Sequence, residues 1–301
     1  MSAWPDTLKE RVEKYIREYG KVSLAAVFLF LCIVSLFGIT LYVSPRNLVV
    51  SFLDIGQGDA ILIQTPSGKN MIIDGGPSDI VLSKLGEKLS YFDNTIDVMV
   101  ETHPDADHVT GLIPILENFV VKKIIVSPVL GKTGIFGDLA KHIDDEEAEV
   151  HTGAQGDTID FHDGVTATIL YPSKNYKEKK NDTNDASVSL VVQYGEETFL
   201  LTGDLPSVEE HNLLSAGVSK HITVYKAGHH GSKYSSSEQL LSFIEPEYSV
   251  ISAGKDNKYG HPNSEALGRL ERFSKEILST IIRGTISFST DGRLLEVETE
   301  K

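Results

Sequence analysis

Two histidines and two aspartates fall within six consecutive positions of "ETHPDADHVTG": His103, Asp105, Asp107 and His108, with Pro104 and Ala106 their only company. Imidazole nitrogens and carboxylate oxygens are donors that divalent cations accept. The single cysteine, Cys32, lies in an apolar stretch, so any metal must be held by His, Asp and Glu. Ions held this way activate water and polarise an ester or amide oxygen. The cluster directly follows the apolar run "DVMVET", which places it at the carboxyl end of a strand, where α/β proteins do their chemistry. Two histidines alone would be weak, because surface coincidence or a helix-capping Asp is common. Four residues of ligand type in six positions are a stronger signal.

Other apolar runs end the same way. "MIIDGG" delivers Asp74, "FLLTGD" Asp204, "VYKAGHHGS" His229 and His230, and "NKYGHPNS" His261. Pro104 breaks regular structure, so His103 and Asp105 could face one ion while Asp107 and His108 face another. Asp74 could hydrogen-bond a ligating His, or simply form the turn before Gly75 and Gly76. Asp54, Gln57 and Asp59 of "DIGQGDA" could line the site, although a hairpin requiring Gly56 and Gly58 explains the glycines equally well. His230 and His261 are candidate proton donors to a leaving group; satisfied loop hydrogen bonds are the competing reading. Ser232 and Ser235 to Ser237 could meet a substrate phosphate, while helix N-capping accounts for at least one of them. His142, His151, His162, His211 and His221 have no motif context and read as surface residues.

The elements that must position these groups follow from the hydropathy pattern. From Asn47 onward short β-rich runs alternate with helical patterns. Strands are expected in "LVVSFLDI", "AILIQT", "NMIID", "DVMVET", "KIIVS", "VTATILY", "SVSLVVQY", "TFLLTGD", "ITVYKAG", "YSVISAG" and the hairpin "TISFSTDGRLLEV". Helices are expected near residues 78–89, 109–118, 206–216, 236–244 and 263–273. Hairpins mixed with strand–helix alternation predict an α/β domain of two mixed sheets with helices outside, over residues 47–301. The stretch "PSKNYKEKKNDTND" at 172–185 reads as an exposed loop.

Upstream, "VSLAAVFLFLCIVSLFGITLYV", residues 22–43, is 22 residues without a charge. A helix of that length spans roughly 33 Å, enough for a bilayer core, and it exceeds the apolar stretch of a signal peptide. It is read as an uncleaved transmembrane anchor. Residues 1–21 carry five Lys/Arg and an amphipathic pattern (Leu8, Val12, Tyr15, Ile16, Tyr19) bounded by Pro5 and Gly20, and so predict a cytoplasmic juxtamembrane helix resting on lipid headgroups. The positive-inside bias, with only Arg46 between the span and Lys69, then puts the C-terminal domain outside the cell membrane. A net charge of −15 argues against a bulk nucleic-acid footprint. Bound cations and the local basic run "KNYKEKK" could offset that repulsion.

"HPDADH", with "DIGQGDA" and "IDGG" before it and "LLTGD", "HHGS" and "YGHP" after it, resembles the metallo-β-lactamase superfamily. More narrowly, it resembles the soluble domain of the competence protein ComEC and its stand-alone relatives, from about Val49 to Val297. The resemblance implies an αββα sandwich, with two mixed β-sheets flanked by helices. It also implies two divalent metal ions, Mn or Zn, with Mg a further candidate. The family's H-x-H-x-D-H motif falls on His103, Asp107 and His108, with Asp105 at its second His. The Asp that bridges both ions falls on Asp204. The late metal-binding His falls on His229 or His230, of which His229 is favoured. A further family His has no clear match; Asn184 and Asp185 occupy its region, and Asp185 is taken as the candidate ligand.

The oxygen-rich donor set tilts the preference from zinc toward manganese or magnesium. The implied function is a membrane-anchored metal-dependent hydrolase, a phosphodiesterase or nuclease. It would act on DNA during uptake through a metal-bridged hydroxide, with Asp107 in the catalytic set. A single span cannot form the channel of full-length ComEC, so uptake would need a membrane channel partner. Hydrolysis of a cell-envelope phosphoester (phosphocholine or teichoic acid) or of an amide or lactam is the alternative. A non-catalytic surface component with the same fold is a third. All the catalytic readings require Asp204 to point at His103 and His108.

Overall fold

The computed structural model describes residues 6–43, 47–178 and 182–301. The expectations placed on Pro5, Arg46, Lys179 and Lys180 lie outside these residues. By backbone contacts the chain divides into Met1–Pro45 and Arg46–Lys301.

The first unit contains a single helix, α1 (Asp6–Val43). The end expected at Gly20 is not there. One glycine costs a helix only about 1 kcal/mol relative to Ala and does not stop it unless a proline or cap follows. Within α1, residues Leu8–Leu36, at a mean hydropathy of 2.0, are long and apolar enough to cross a bilayer.

The second unit is an αββα sandwich. Its strands in chain order are β1 (Leu48–Phe52), β2 (Ile61–Gln64), β3 (Asn70–Ile73), β4 (Thr95–Val100), β5 (Val120–Val126), β6 (Glu149–Thr152), β7 (Thr158–Asp160) and β8 (Val165–Tyr171). The remainder are β9 (Ser189–Tyr194), β10 (Glu197–Leu201), β11 (Val224–Lys226), β12 (Tyr248–Ile251), β13 (Glu276–Ser279), β14 (Ile286–Thr290) and β15 (Leu295–Thr299). One sheet runs β15-β14-β1-β2-β3-β4-β5-β6 and the other β13-β12-β11-β10-β9-β8-β7. Both are mixed: β3 to β6 pair in parallel, as do β10 to β13, and the other neighbours are antiparallel.

Side chains alternate across each strand, and this sets the layers. In β4, Val98 and Val100 enter the layer between the sheets, whereas Met99 faces outward beneath helices. Because both faces are covered, the strand reads as an almost continuous apolar run. Phe52, Phe199 and Phe288 meet edge to face at the centre of the inter-sheet layer, with centroids 5.9 and 6.2 Å apart. Outside the first sheet lie α2 (Ile80–Lys88), α3 (Ala106–Val109), α4 (Leu112–Asn118) and α5 (Gly134–Asp145); outside the second lie α6 (His211–Ser215), α7 (Glu238–Ile244) and α8 (Ser264–Phe273). A last turn, α9 (Thr280–Arg283), leads into β14.

The elements absent from the sequence expectations are α5, α9, β6, β7 and β13. β6 is exposed at all four positions, and β7 and α9 have three and four residues, too few for a period to show. In α5, Ile135, Leu139 and Ile143 stand at helical spacing, a signal passed over beside Gly134 and Gly137.

Candidate metal centre

Four strand ends meet on one side of the sandwich. β3 leads to Asp74, β4 to Thr102 and His103, β10 to Asp204, and β11 to His229 and His230. The loop after β4 enters α3, whose first turn carries Asp107 and His108. Two glycine contacts lock that loop in place. Gly58, at φ +121°, lies so close to the Asp107 carbonyl that any Cβ would collide with it, and Gly75 donates to the His108 carbonyl at 2.7 Å. The glycine of the "GQG" turn is therefore required for a close approach to the site as well as for the turn.

Asp74 organises the first half of the centre. It is fully buried, accepts from the Thr102 amide (2.9 Å) and hydroxyl (2.7 Å), and accepts from His108 Nδ1 at 2.8 Å. With its proton given to Asp74, the Thr102 hydroxyl accepts from His103 Nδ1 at 2.9 Å. His230 Nδ1 donates to the Ser252 carbonyl at 2.9 Å. These bonds fix the tautomers, leaving the Nε2 lone pairs of His103, His108 and His230 free.

All three lone pairs face Asp204. Its Oδ2 lies 3.9 Å from His103 Nε2, 3.4 Å from His108 Nε2 and 3.4 Å from His230 Nε2. The convergence demanded of Asp204 is present. His230 Nε2 also stands 3.6 Å from Asp107 Oδ2 and 3.3 Å from His108 Nε2, and His103 Nε2 stands 4.0 Å from Asp105 Oδ2. His103 Nε2 and Asp204 Oδ1 are buried without a hydrogen-bond partner. Lone pairs crowded at these separations repel unless a cation lies between them. Donors held about 2.0–2.2 Å from an ion would sit roughly 3–3.6 Å apart, so the side chains fit a divalent metal.

In the ion-free protein burial would raise the Asp204 carboxyl, but protonated His230 and His108 beside it outweigh burial and hold the group well below the usual range; a cation bound there would take the place of those protons. Asp107 is lowered similarly, burial being overcome by His230 and His108. Behind His230, Asp59 is buried and pairs with the fully buried Lys226 at 2.7 Å. Lys226 and His230 together overcome burial to bring Asp59 down to about 2. Asp59, His108, Asp204 and His230 form a buried group able to hold an ion.

His229 approaches from the opposite flank, with Nε2 3.5 Å from Asp204 Oδ2 and Nδ1 3.4 Å from the Asn184 side-chain amide. It is reached only because His229 (φ 49°, ψ 47°) and His230 (φ 56°, ψ 26°) are both left-handed. That conformation costs a non-glycine residue about 1–2 kcal/mol and concentrates where function demands it. Asp185 is oriented differently. Its backbone carbonyl accepts from the Tyr171 phenol at 2.8 Å, while Asn184 is the residue whose side chain reaches His229. His261 flanks the pair, its ring 5.4 Å from His229 and 6.4 Å from His230. Asp54 lies apart, paired with Lys301 at 3.1 Å, and Gln57 accepts from the Gly254 amide. Ser237 caps α7, and the Ser235 hydroxyl donates to the Leu205 carbonyl.

Sequence reasoning passed over Thr102, Glu101 and Lys226. A signal existed for the last two: each is a charged residue at the end of an apolar, fully covered strand, where charge survives only with a partner. Thr102 carried none.

Comparison with known proteins accords with this geometry. Residues 53–166 match the family model described as Metallo-beta-lactamase superfamily, so the chain carries a metallo-β-lactamase domain. The chain is 27% identical over 262 residues to ComE operon protein 3 of Bacillus subtilis, 29% over 248 residues to competence protein ComA of Neisseria gonorrhoeae, and 28% over 255 residues to recombination protein 2 of Haemophilus influenzae. These alignments cover 81%, 81% and 83% of this chain but only 33%, 33% and 30% of the relatives, so the chain spans about a third of their length. Among solved structures, CmlA, a diiron β-hydroxylase from Streptomyces venezuelae, shares the fold at a TM-score of 0.52 and 12% identity, covering 82% of this chain and 55% of that one. The sequence resemblance to ComEC-like competence proteins therefore holds.

Proposed function

We propose that this protein is a membrane-anchored phosphodiesterase that cleaves DNA outside the cytoplasm, using two divalent ions at the strand ends. The observation that carries the enzyme reading is the convergence of the His103, His108 and His230 lone pairs on one buried carboxylate, Asp204. The names of the competence relatives support a DNA substrate.

His103 and Asp105 would hold one ion, Asp107 and His108 the other, and Asp204 both. Two such ions lower the pKa of water and polarise a phosphoryl oxygen, so the chain need not supply a nucleophile. Thr102, Asp74 and Ser252 keep each Nε2 lone pair aimed inward. His230, close to Asp107 and His108, would join the ion-holding groups, and proton donation to the leaving oxygen would fall to His261. Burial and the neighbouring His229 and His230 lower the His261 pKa, so its protonated donor form would be populated only at acidic pH. Beside Asp105 opens a cleft of about 310 Å³ lined by Lys132, Thr133 and Thr183 together with the acidic Glu178 and Asp182, the first of which pairs with Lys132.

Net charge of −15 favours a second reading, a small envelope phosphoester. One assay separates the two: cleavage of plasmid DNA and of bis-p-nitrophenyl phosphate with Mn(II), across a salt series. DNA cleavage that falls steeply with salt is expected. Asp204→Ala should lose more than the ~10–100-fold that removal of an outer partner costs. If neither substrate is cleaved, the phosphodiesterase assignment fails. For the orientation, protease added to intact cells should digest residues 47–301.

A further inference from the structure

Every imidazole that faces Asp204 follows one pattern: Nδ1 is tied down and Nε2 points at Asp204 Oδ2. His103 is tied by Thr102, His108 by Asp74 and His230 by Ser252. His229 is the fourth case. Its Nε2 lies 3.5 Å from the same oxygen, and its Nδ1 meets the buried Asn184 side chain at 3.4 Å. Asn184 Oδ1 is buried and lacks a partner while the amide nitrogen faces Nδ1. With the Asn184 amide turned over, His229 Nδ1–H donates to Oδ1 and the Nε2 lone pair is freed.

We infer that His229 and His230 are both metal ligands, one for each ion, with Asn184 positioning His229. Position decides which ion each takes. His230 stands 3.6 Å from Asp107 Oδ2 and 3.3 Å from His108 Nε2, and so joins that ion's set. Asn184, which meets His229, follows Thr183, whose hydroxyl donates to Asp105 Oδ1 at 2.5 Å, and this adjacency assigns His229 to the ion of Asp105 and His103. Each ion then has three residues of its own and shares Asp204: His103, Asp105 and His229 on one side, Asp107, His108 and His230 on the other. The consecutive left-handed residues explain how adjacent side chains reach the same oxygen. In an extended segment neighbours point to opposite faces, whereas two left-handed residues turn both rings inward.

This assignment rests on the two-ion reading proposed above. Its test is metal content and not turnover. The full chain in detergent is stripped with chelator and titrated with Mn(II), and bound ions are counted by elemental analysis and by electron paramagnetic resonance. The wild type should bind two ions with a spin-coupled spectrum. Folded His229→Ala and His229→Gln should keep one ion, with the six-line spectrum of isolated Mn(II), as should His103→Ala. Asn184→Ala should weaken one of the two ions by roughly 10–100-fold and leave the other unchanged. Retention of both ions, or loss of both, by the folded His229 variants overturns the assignment and leaves the two-ion reading standing. If His229→Ala does not fold, equal affinity for both ions in Asn184→Ala overturns it instead. A wild type that binds no Mn(II) removes the two-ion reading itself.

Discussion

Residues 103–108 and residues 226–230 bring imidazoles to the same carboxylate by different physics. In the first segment His103 and His108 sit on ordinary backbone and are aimed by side-chain hydrogen bonds that converge on Asp74. In the second, His229 and His230 are aimed by two consecutive left-handed residues, and the strand beneath them holds a buried ion pair, Lys226–Asp59. The outcomes are nearly equal: 3.9 and 3.4 Å to Asp204 Oδ2 from the first segment, 3.5 and 3.4 Å from the second. A ligand can be oriented by hydrogen bonding to its far nitrogen or by the backbone that carries it. The two solutions should fail under different substitutions.

The largest effect is expected from Lys226→Met. It leaves Asp59 ionised, fully buried and unpaired, and breaking such a pair costs about 3–5 kcal/mol. Urea unfolding should show that loss, with much of it recovered in the double variant Lys226→Met/Asp59→Asn; an unchanged midpoint would remove the ion pair from the support of the second segment. Asp74→Asn comes next. It keeps the shape but can no longer accept from His108 and Thr102 together, so Mn(II) affinity should fall by roughly 10–100-fold with little change in unfolding midpoint. A drop in stability as large as that of the Lys226 variant would erase the distinction between the segments.

A third test, read as a slope against pH, sharpens the first segment. Burial pushes Glu101 up to about 8, offset in part by the Ser127 amide that donates to it at 2.7 Å. In the ion-free protein the unfolded chain therefore releases this proton near the ordinary carboxyl value while the folded chain keeps it. Stability falls as pH rises between those two values, by at most about 1.4 kcal/mol per unit. Glu101→Gln should flatten urea midpoints across that window and match the wild type below it. A wild type with no such slope would show Glu101 ionised in the fold.

Much of the architecture was legible because burial imposes periodicity. The runs at β1 to β5, β8 to β12, β14 and β15 each carried apolar side chains on one or both faces, and each was read as a strand. The edge elements β6, β7 and β13 bury too little to leave that imprint, whereas α5 carries Ile135, Leu139 and Ile143 at helical spacing and was passed over beside its two glycines. The continuity of α1 through Gly20 was hidden for the opposite reason: the glycine looked like punctuation, yet nothing beside it interrupts the backbone ladder. In the site, Asp74, His103, His108 and Asp204 were legible as polar residues abruptly ending apolar strands.

The sequence by itself determined the donor types, their order along the chain and the strand ends that would carry them, because those depend on local pattern alone. Tertiary structure decided which donors share a centre. It turned Asn184 rather than Asp185 toward His229, set Lys226 against Asp59, and aimed both members of the His229–His230 pair at one oxygen. The physical reason is that direction is set by backbone dihedrals and by partners distant in the chain. A two-residue stretch of identical letters says nothing about whether its rings point apart, as in a strand, or together, as two left-handed residues make them.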